Sequence, residues 1–349
     1  MKLSVIIPTR NRSKLLEITL QSLLAQSLHS EFFEVIVVDN GSEDNTSKIV
    51  NSFNKSLKNL RYFLKSEPGL HVGRHLGCLK AESDILVYAD DDIEAFPTWL
   101  QAIKESFDDE AVALVGGKCL PKFESDPPEW LNRMWSPNMK RERLLGYLSV
   151  IDLGDDAKFI TPYHVYGCNF SIRRSVLLEA GGFHPDSMPQ ELSHFRGDGE
   201  TYISEYVKNR GYKAFYNPLA SIYHYVPTER MTNEYFCRRL YNQGISDSYT
   251  AIRNANTINR KTMTPPSYSV QILKEWFKSL SLYLKGKGAL AREEAALHRN
   301  FTVAYKAGYD YHQKIVAETP ELLSWVLKSD YWNSQLPTVV ADVKTEHFI

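Results

Sequence analysis

Ile85-Leu86-Val87-Tyr88-Ala89-Asp90-Asp91-Asp92 sets five apolar residues directly before three carboxylates. A run this short and rich in β-formers, bounded by polar residues, reads as a buried strand. Upstream, Leu60–Leu64 and Val35–Val38 repeat the pattern. The second of these ends in the turn signal Asp39-Asn40-Gly41. Leu3–Ile7 is a further run, stopped by the loop Pro8-Thr9-Arg10-Asn11-Arg12. Leu16, Leu20, Leu23 and Leu24 recur at helical spacing, and Ser42 is a candidate N-cap for a second helix. Strands alternating with helices predict an α/β fold with a mostly parallel sheet flanked by helices on both faces.

Downstream, residues 121–165 are rich in Pro, Trp and charge and read as a long excursion with some local helix. Tyr166–Arg173 returns as a strand. Glu200–Asn209 carries Tyr202, Ile203, Tyr206 and Val207 on one helical face, with Gly211 as its C-cap. Ala214–Tyr216 and Ser221–Tyr225 are short strands. From Glu229, and again beyond Pro265-Pro266, the pattern is helical. The expected C-terminal helical appendage spans 246–349.

The 349 residues are 43% hydrophobic and 24% charged, which excludes a disordered chain. Forty-one Lys and Arg against 42 Asp and Glu leave a formal charge of −1, and nothing in that balance calls for nucleic-acid binding. Cys78, Cys119, Cys168 and Cys237 lack CxxC spacing, so a zinc ribbon or disulfide framework is disfavoured and reduced thiols in a cytoplasmic protein are expected. Leu3–Ile7 is too short for the core of a secretory signal. No stretch approaches the ~20 apolar residues of a membrane span, so the protein is expected to be soluble or to sit on a membrane surface.

In open α/β sheets ligands bind beyond the carboxyl ends of the strands. Pro8–Arg12, Asp39-Asn40 and Asp90–Asp92 all occupy such ends, so parallel strands would gather them into one site. Three adjacent carboxylates repel one another unless solvated or neutralised, and a hard cation, Mg²⁺ or Mn²⁺, is the natural partner. In an extended segment Asp90 and Asp92 point the same way and Asp91 points elsewhere. The alternative is a solvated acidic turn. Asp39 can accept a hydrogen bond from a ribose hydroxyl or a base N–H, or serve as an Asx-turn. Gly69, Gly73 and Gly77 match neither the Walker nor the dinucleotide pattern and point to close helix packing. Arg74 among them faces a phosphate or solvent.

The opening Ser4–Arg12, Val37-Val38-Asp39-Asn40-Gly41-Ser42 with Asp44 and Thr46, the strand ending in Asp90-Asp91-Asp92, and Gly167–Arg174 followed by Gly181-Gly182-Phe183 together resemble the family 2 glycosyltransferases over about residues 1–245. The resemblance implies a glycosyltransferase-A (Rossmann-like) fold, with a catalytic domain over 1–245 divided into a nucleotide-sugar half (1–118) and an acceptor half (119–245), and an inverting enzyme that uses a nucleoside-diphosphate sugar, a UDP-sugar being the first guess. It implies that Pro8, Thr9, Arg10, Arg12 and Asp39 cradle the nucleoside and that Asp90 lies near the ribose or metal. Asp92 would ligate Mn²⁺ or Mg²⁺, and Asp91 shares the cluster. His224 matches a family histidine that completes the metal or diphosphate site. One of Arg230, Arg238 and Arg239 could reach the diphosphate. The family's catalytic carboxylate opens a helix. The spacing to Gly211 aligns Glu200 with it, and Asp198 is the runner-up.

The expected chemistry is direct displacement at the anomeric carbon, with Glu200 taking the acceptor proton. The expected acceptor is a saccharide or lipid-linked saccharide in polysaccharide or glycoconjugate synthesis. Trp130 and Trp135 either shape its site or anchor the core. Residues 268–306 hold Lys274, Lys278, Lys285, Lys287, Arg292, Arg299 and Lys306 beside Trp276, Phe277, Leu280 and Leu284. They form either a packed helical appendage or a basic surface for the inner face of the cell membrane. Two other functions compete. A sugar nucleotidyltransferase would bring a glycine-rich phosphate loop, which Pro8–Arg12 lacks. An inactive nucleotide-sugar-binding scaffold would have little use for Asp39, Asp90, Asp92 and Glu200.

Overall fold

The first strand, β1 (Leu3–Thr9), is buried at all seven residues, because helices cover both faces of its sheet. Leu3, Val5 and Ile7 pack with Leu16, Leu20, Val50 and Ile103 on one side. Ile6, of opposite parity, packs with Cys78, Leu86 and Tyr88 on the other. This two-residue alternation between two cores is why the strand is apolar throughout. The computed structural model describes residues 2–256, 288–333 and 335–337.

The remaining strands are β2 (Phe33–Asp39), β3 (Leu60–Leu64), β4 (Ile85–Ala89), β5 (Ile93–Ala95), β6 (Val112–Gly116), β7 (Cys119–Phe123), β8 (Arg143–Leu145), β9 (Val150–Asp152), β10 (Lys158–Ile160), β11 (Asn169–Arg173), β12 (Lys213–Tyr216) and β13 (Ile222–Val226). The helices are α1 (Ser13–Leu24), α2 (Thr46–Phe53), α3 (Leu70–Lys80), α4 (Trp99–Ser106), α5 (Glu129–Met134), α6 (Arg174–Ala180), α7 (Glu200–Asn209), α8 (Asn233–Ala255), α9 (Gly288–Glu318) and α10 (Pro320–Val326). Eight strands form the main sheet in the order β10-β12-β6-β11-β4-β1-β2-β3. β3, β2, β1 and β4 run parallel, as does the β12–β6 pair, and β11 is antiparallel to both of its neighbours. The fold is therefore α/β with a mostly parallel sheet, as the apolar runs indicated.

Three local expectations need correction. The second helix starts at Thr46, not after Ser42. Asp44 Oδ1 accepts from the Thr46 N–H at 3.0 Å, while Ser42 Oγ accepts from the Asn11 N–H. Asp91 and Asp92 lie in a turn between β4 and β5, not in an extended segment. The excursion at 121–165 contributes β8, β9 and the end of β7 to a second, five-stranded sheet, β5-β13-β7-β9-β8. Its strands of three to five residues are too short to show a period. The chain passes from β6 to β7 through Gly117, where a Cβ would lie 1.8 Å from the Ala220 carbonyl oxygen.

α8 runs across position 245, where a domain boundary was expected. α9 crosses it in close contact. A Cβ on Gly244 would lie 2.1 Å from Tyr305 O, and one on Gly308 would lie 2.0 Å from Tyr241 O. After α10 the chain returns to α3, where Tyr331 O sits 3.1 Å from His75 Nδ1. Lys274, Lys278, Lys285, Lys287 and their apolar neighbours, and with them most of the expected membrane-facing surface, lie outside the described residues. Among the described residues no helix is long and apolar enough to cross a membrane.

Candidate active site

β1, β2 and β4 end side by side, with Thr9 in register with Asp39. The turn after β4 brings its carboxylates against the loop after β1. Thr9 Oγ1 donates to Asp91 Oδ2 at 2.7 Å. Arg12 Nη1 reaches Asp91 Oδ1 at 2.8 Å and Asp92 Oδ2 at 3.0 Å. Burial disfavours the Arg12 charge, but Asp91 and Asp92 outweigh it and raise its pKa. Burial also pushes the Asp91 carboxyl up. Arg12 opposes this, Asp92 adds to it, and the net value is about 6. Asp91 thus braces the loop after β1.

Asp92 meets a different set. His224 Nε2 lies 3.2 Å from Asp92 Oδ1, and Arg230 Nη2 lies 3.2 Å from Oδ2. Burial would raise Asp92, but His224, Arg230 and Arg12 together hold it well below the usual carboxylate range. Burial disfavours the His224 imidazolium, yet Asp92 lifts it to about 9. His224 is on β13, which pairs with β5 at Ile93. The second sheet thereby delivers the histidine to the residue after the turn.

Asp90, Asp92 and His224 place one donor atom each within 4.8 Å of one another. His224 Nδ1 lies 2.9 Å from the Leu148 carbonyl oxygen. That carbonyl fixes the proton on Nδ1 and turns Nε2 toward the carboxylates, the usual support of a metal-ligating histidine. Asp92 Oδ1 is buried and, despite facing Nε2, makes no aligned hydrogen bond. Two carboxylates and an imidazole nitrogen in this posture fit Mn²⁺, and Mg²⁺ less typically.

Arg74, on α3, is buried, not solvated. Nη1 donates to Glu200 Oε2 at 3.3 Å, and Nη2 lies 3.8 Å from Asp90 Oδ1. Burial opposes its charge, but Glu200 and Asp90 raise its pKa overall. α3 approaches this closely because Gly77 and Gly73 lie against Ile6 and Asn40, the close packing expected of those glycines. Glu200 begins α7 and is 29% exposed, so it faces the open side of the site. Gly167 makes room for the pair. A Cβ there would lie 2.5 Å from Arg74 Nη2 and 2.9 Å from Glu200 Oε1.

Other expected residues stand apart from this centre. Asp198 bonds His184 Nδ1 at 2.6 Å and Thr250 Oγ1 at 2.8 Å. Asp39 accepts from the Ser42 N–H and from Tyr62 OH, each at 2.7 Å. Pro8 is buried against Gly73, and Arg10 is exposed. Of the three late arginines, Arg230 reaches the carboxylates, while Arg238 lies over the Tyr235 ring. Gly167 and the Leu148 carbonyl were not singled out by sequence reasoning. A backbone acceptor leaves no signal in residue identity, and Gly167 stood out only as part of a longer motif.

The mostly parallel sheet, with helices on both faces and carboxylates beyond its strand ends, is a fold of the glycosyltransferase-A class. The glycosyl transferase family 2 profile matches residues 4–181, and the chain belongs to that family. It is 24% identical over 250 residues to a glucosyl-dolichyl phosphate glucuronosyltransferase of Haloferax volcanii, an alignment covering 70% of this chain and 76% of the relative. It is 39% identical over 117 residues to a chondroitin synthase of Escherichia coli, covering 33% of this chain and 17% of that one. A mannosyltransferase from Pyrobaculum calidifontis, solved with GDP-Man and Mn²⁺, superposes with a TM-score of 0.52 at 20% identity. That superposition covers 96% of this chain and 88% of the other.

Proposed function

We propose that the chain transfers a sugar, with inversion, from a nucleoside-diphosphate sugar to a hydroxyl of a saccharide or lipid-linked saccharide. Asp90, Asp92 and His224 would hold Mn²⁺ or Mg²⁺. The observation that carries this reading is His224, whose Nδ1 is committed to Leu148 O and whose Nε2 faces Asp92 Oδ1 at 3.2 Å. The GDP-Man and Mn²⁺ bound by the Pyrobaculum enzyme, and the glycosyltransferase names of the relatives, support it.

When bound, the cation offsets charge on the departing diphosphate. Glu200 takes the proton as the acceptor oxygen bonds to the anomeric carbon and the bond from that carbon to the diphosphate oxygen breaks. Arg74 Nη1 holds the Glu200 carboxylate through Oε2. Arg12 and Arg230 keep positive charge at the carboxylate cluster. Asp198 has both oxygens engaged by His184 and Thr250, which favours Glu200 as the base. Pro8, Thr9, Arg10 and Asp39 border the proposed nucleoside side. A donor specific for UDP and a place at the inner membrane face remain part of the proposal.

The test pairs binding with turnover. A panel of UDP- and GDP-sugars with Mn²⁺ or Mg²⁺ should raise the melting temperature with one base, by mass action. Glu200→Gln should keep that shift and lower transfer by ~10²–10⁴-fold. Near-normal turnover would remove Glu200 as base. No nucleotide shift at all would favour an inactive scaffold.

A further inference from the structure

A cavity of about 510 Å³ lies outside the carboxylate cluster, between the α5–β8 region and α9. Its volume falls within the ~300–1,000 Å³ usual for small-ligand sites. Trp130, Leu144, Tyr147, Leu297 and Phe301 give it apolar and aromatic walls. Glu294 stands among them, 6% exposed. Its Oε1 accepts from Arg133 Nε at 3.0 Å, while its buried Oε2 has no hydrogen-bond partner. A buried, ionisable oxygen left unpaired is costly unless a donor comes to it. Hydroxyl groups are such donors, and flat aromatic walls suit the apolar face of a sugar ring.

Charge narrows the ligand class. Arg133 is ion-paired with Glu129, Glu293 and Glu294, its buried Nη1 making no aligned hydrogen bond. Glu142, also on the wall, is paired with Lys158. An anionic ligand would find carboxylates there and an arginine committed to three of them. A neutral saccharide would not suffer that repulsion.

Gly146 and Tyr147 line the cavity, and the next residue, Leu148, gives its carbonyl to His224. One turn of 3-10 helix therefore joins the cavity wall to the proposed metal ligand. We infer that this cavity binds a neutral saccharide unit of the acceptor, with Glu294 accepting from its hydroxyls and Trp130 forming a wall. The inference rests on the transferase reading. It assigns acceptor choice to α9, which lies beyond the residues matched by the family profile.

Saturation-transfer NMR on the full chain, with methyl glucoside, methyl mannoside, methyl galactoside and N-acetylglucosamine as probes, tests it. Glucuronate and decanol are the contrasting arms. At least one neutral sugar should show transfer, and Glu294→Gln should weaken its binding by about ten-fold. Trp130→Ala should weaken it as well. Melting curves of both variants show whether they fold, and the wild-type titration stands whatever they show. Silence from every neutral sugar, unchanged binding in a folded Glu294→Gln, or a response confined to glucuronate or to decanol would each overturn the inference. The nucleotide-sugar melting shift is measured alongside. Its loss would count against the transferase reading, whereas its presence with no sugar response counts against the cavity alone.

Discussion

Gly167 governs the geometry between Arg74 and Glu200. A methyl group there meets the ends of two polar side chains, not backbone, so the fold can yield where the site cannot. Gly167→Ala is expected to move the guanidinium and carboxylate apart. Turnover should fall by roughly 10²-fold, because misplacement of ~1 Å costs that much in an oriented reaction. The melting temperature should shift little. Steady-state kinetics beside a melting curve checks both, and a large loss of stability would refute this reading. Arg230 contributes through charge rather than shape. Arg230→Met removes one of the three cations facing Asp92, and divalent-cation affinity measured by calorimetry should then rise, since one competitor for the carboxylate is gone.

Among the elements, α8 and α9 depend on two glycines that face each other's backbones. Gly244→Ala places a methyl group 2.1 Å from a carbonyl oxygen, and no side-chain movement relieves that clash. The expected cost is ~1–3 kcal/mol. Urea unfolding with early proteolysis of α9 would show it, and an unchanged midpoint would count against the packing described. The same scale explains which elements could be read from the chain. β1, β2 and β4 are covered on both faces, so burial wrote itself into unbroken apolar runs. α7 was legible from its one-sided apolar face and Gly211. β5, β8 and β9 have three residues each, fewer than two repeats of any period, and the second sheet they help build stayed hidden. The meeting of Thr9 and Arg12 with Asp91 and Asp92 followed from parallel strands. The selection of Arg230 from three arginines depended on the bend after β13, which residue types do not encode.

For the whole molecule, acid stability follows from buried neutral histidines. Burial lowers His71 to about 3 and both His75 and His312 to about 4. Their native pKa values lie below the unfolded value of ~6.5, so the unfolded chain takes up protons first as pH falls. The stability they contribute is complete above ~6.5 and is lost progressively toward their native values. His312 stands apart from the other two and bonds Ser248 Oγ at 2.8 Å. His312→Gln should remove about 1.4 kcal/mol of the stability difference between pH 7.5 and 5.5, read from urea midpoints. An undiminished difference would exclude His312 as a source. The chain order of the site carries a further consequence. Asp90, Asp91 and Asp92 leave the ribosome with Arg12 and Arg74 already made, but Glu200, His224 and Arg230 emerge much later. The carboxylate cluster therefore lacks its full set of cationic partners until the residues just beyond β13 have been made. Chains released early, even with the whole parallel sheet formed, would be catalytically silent.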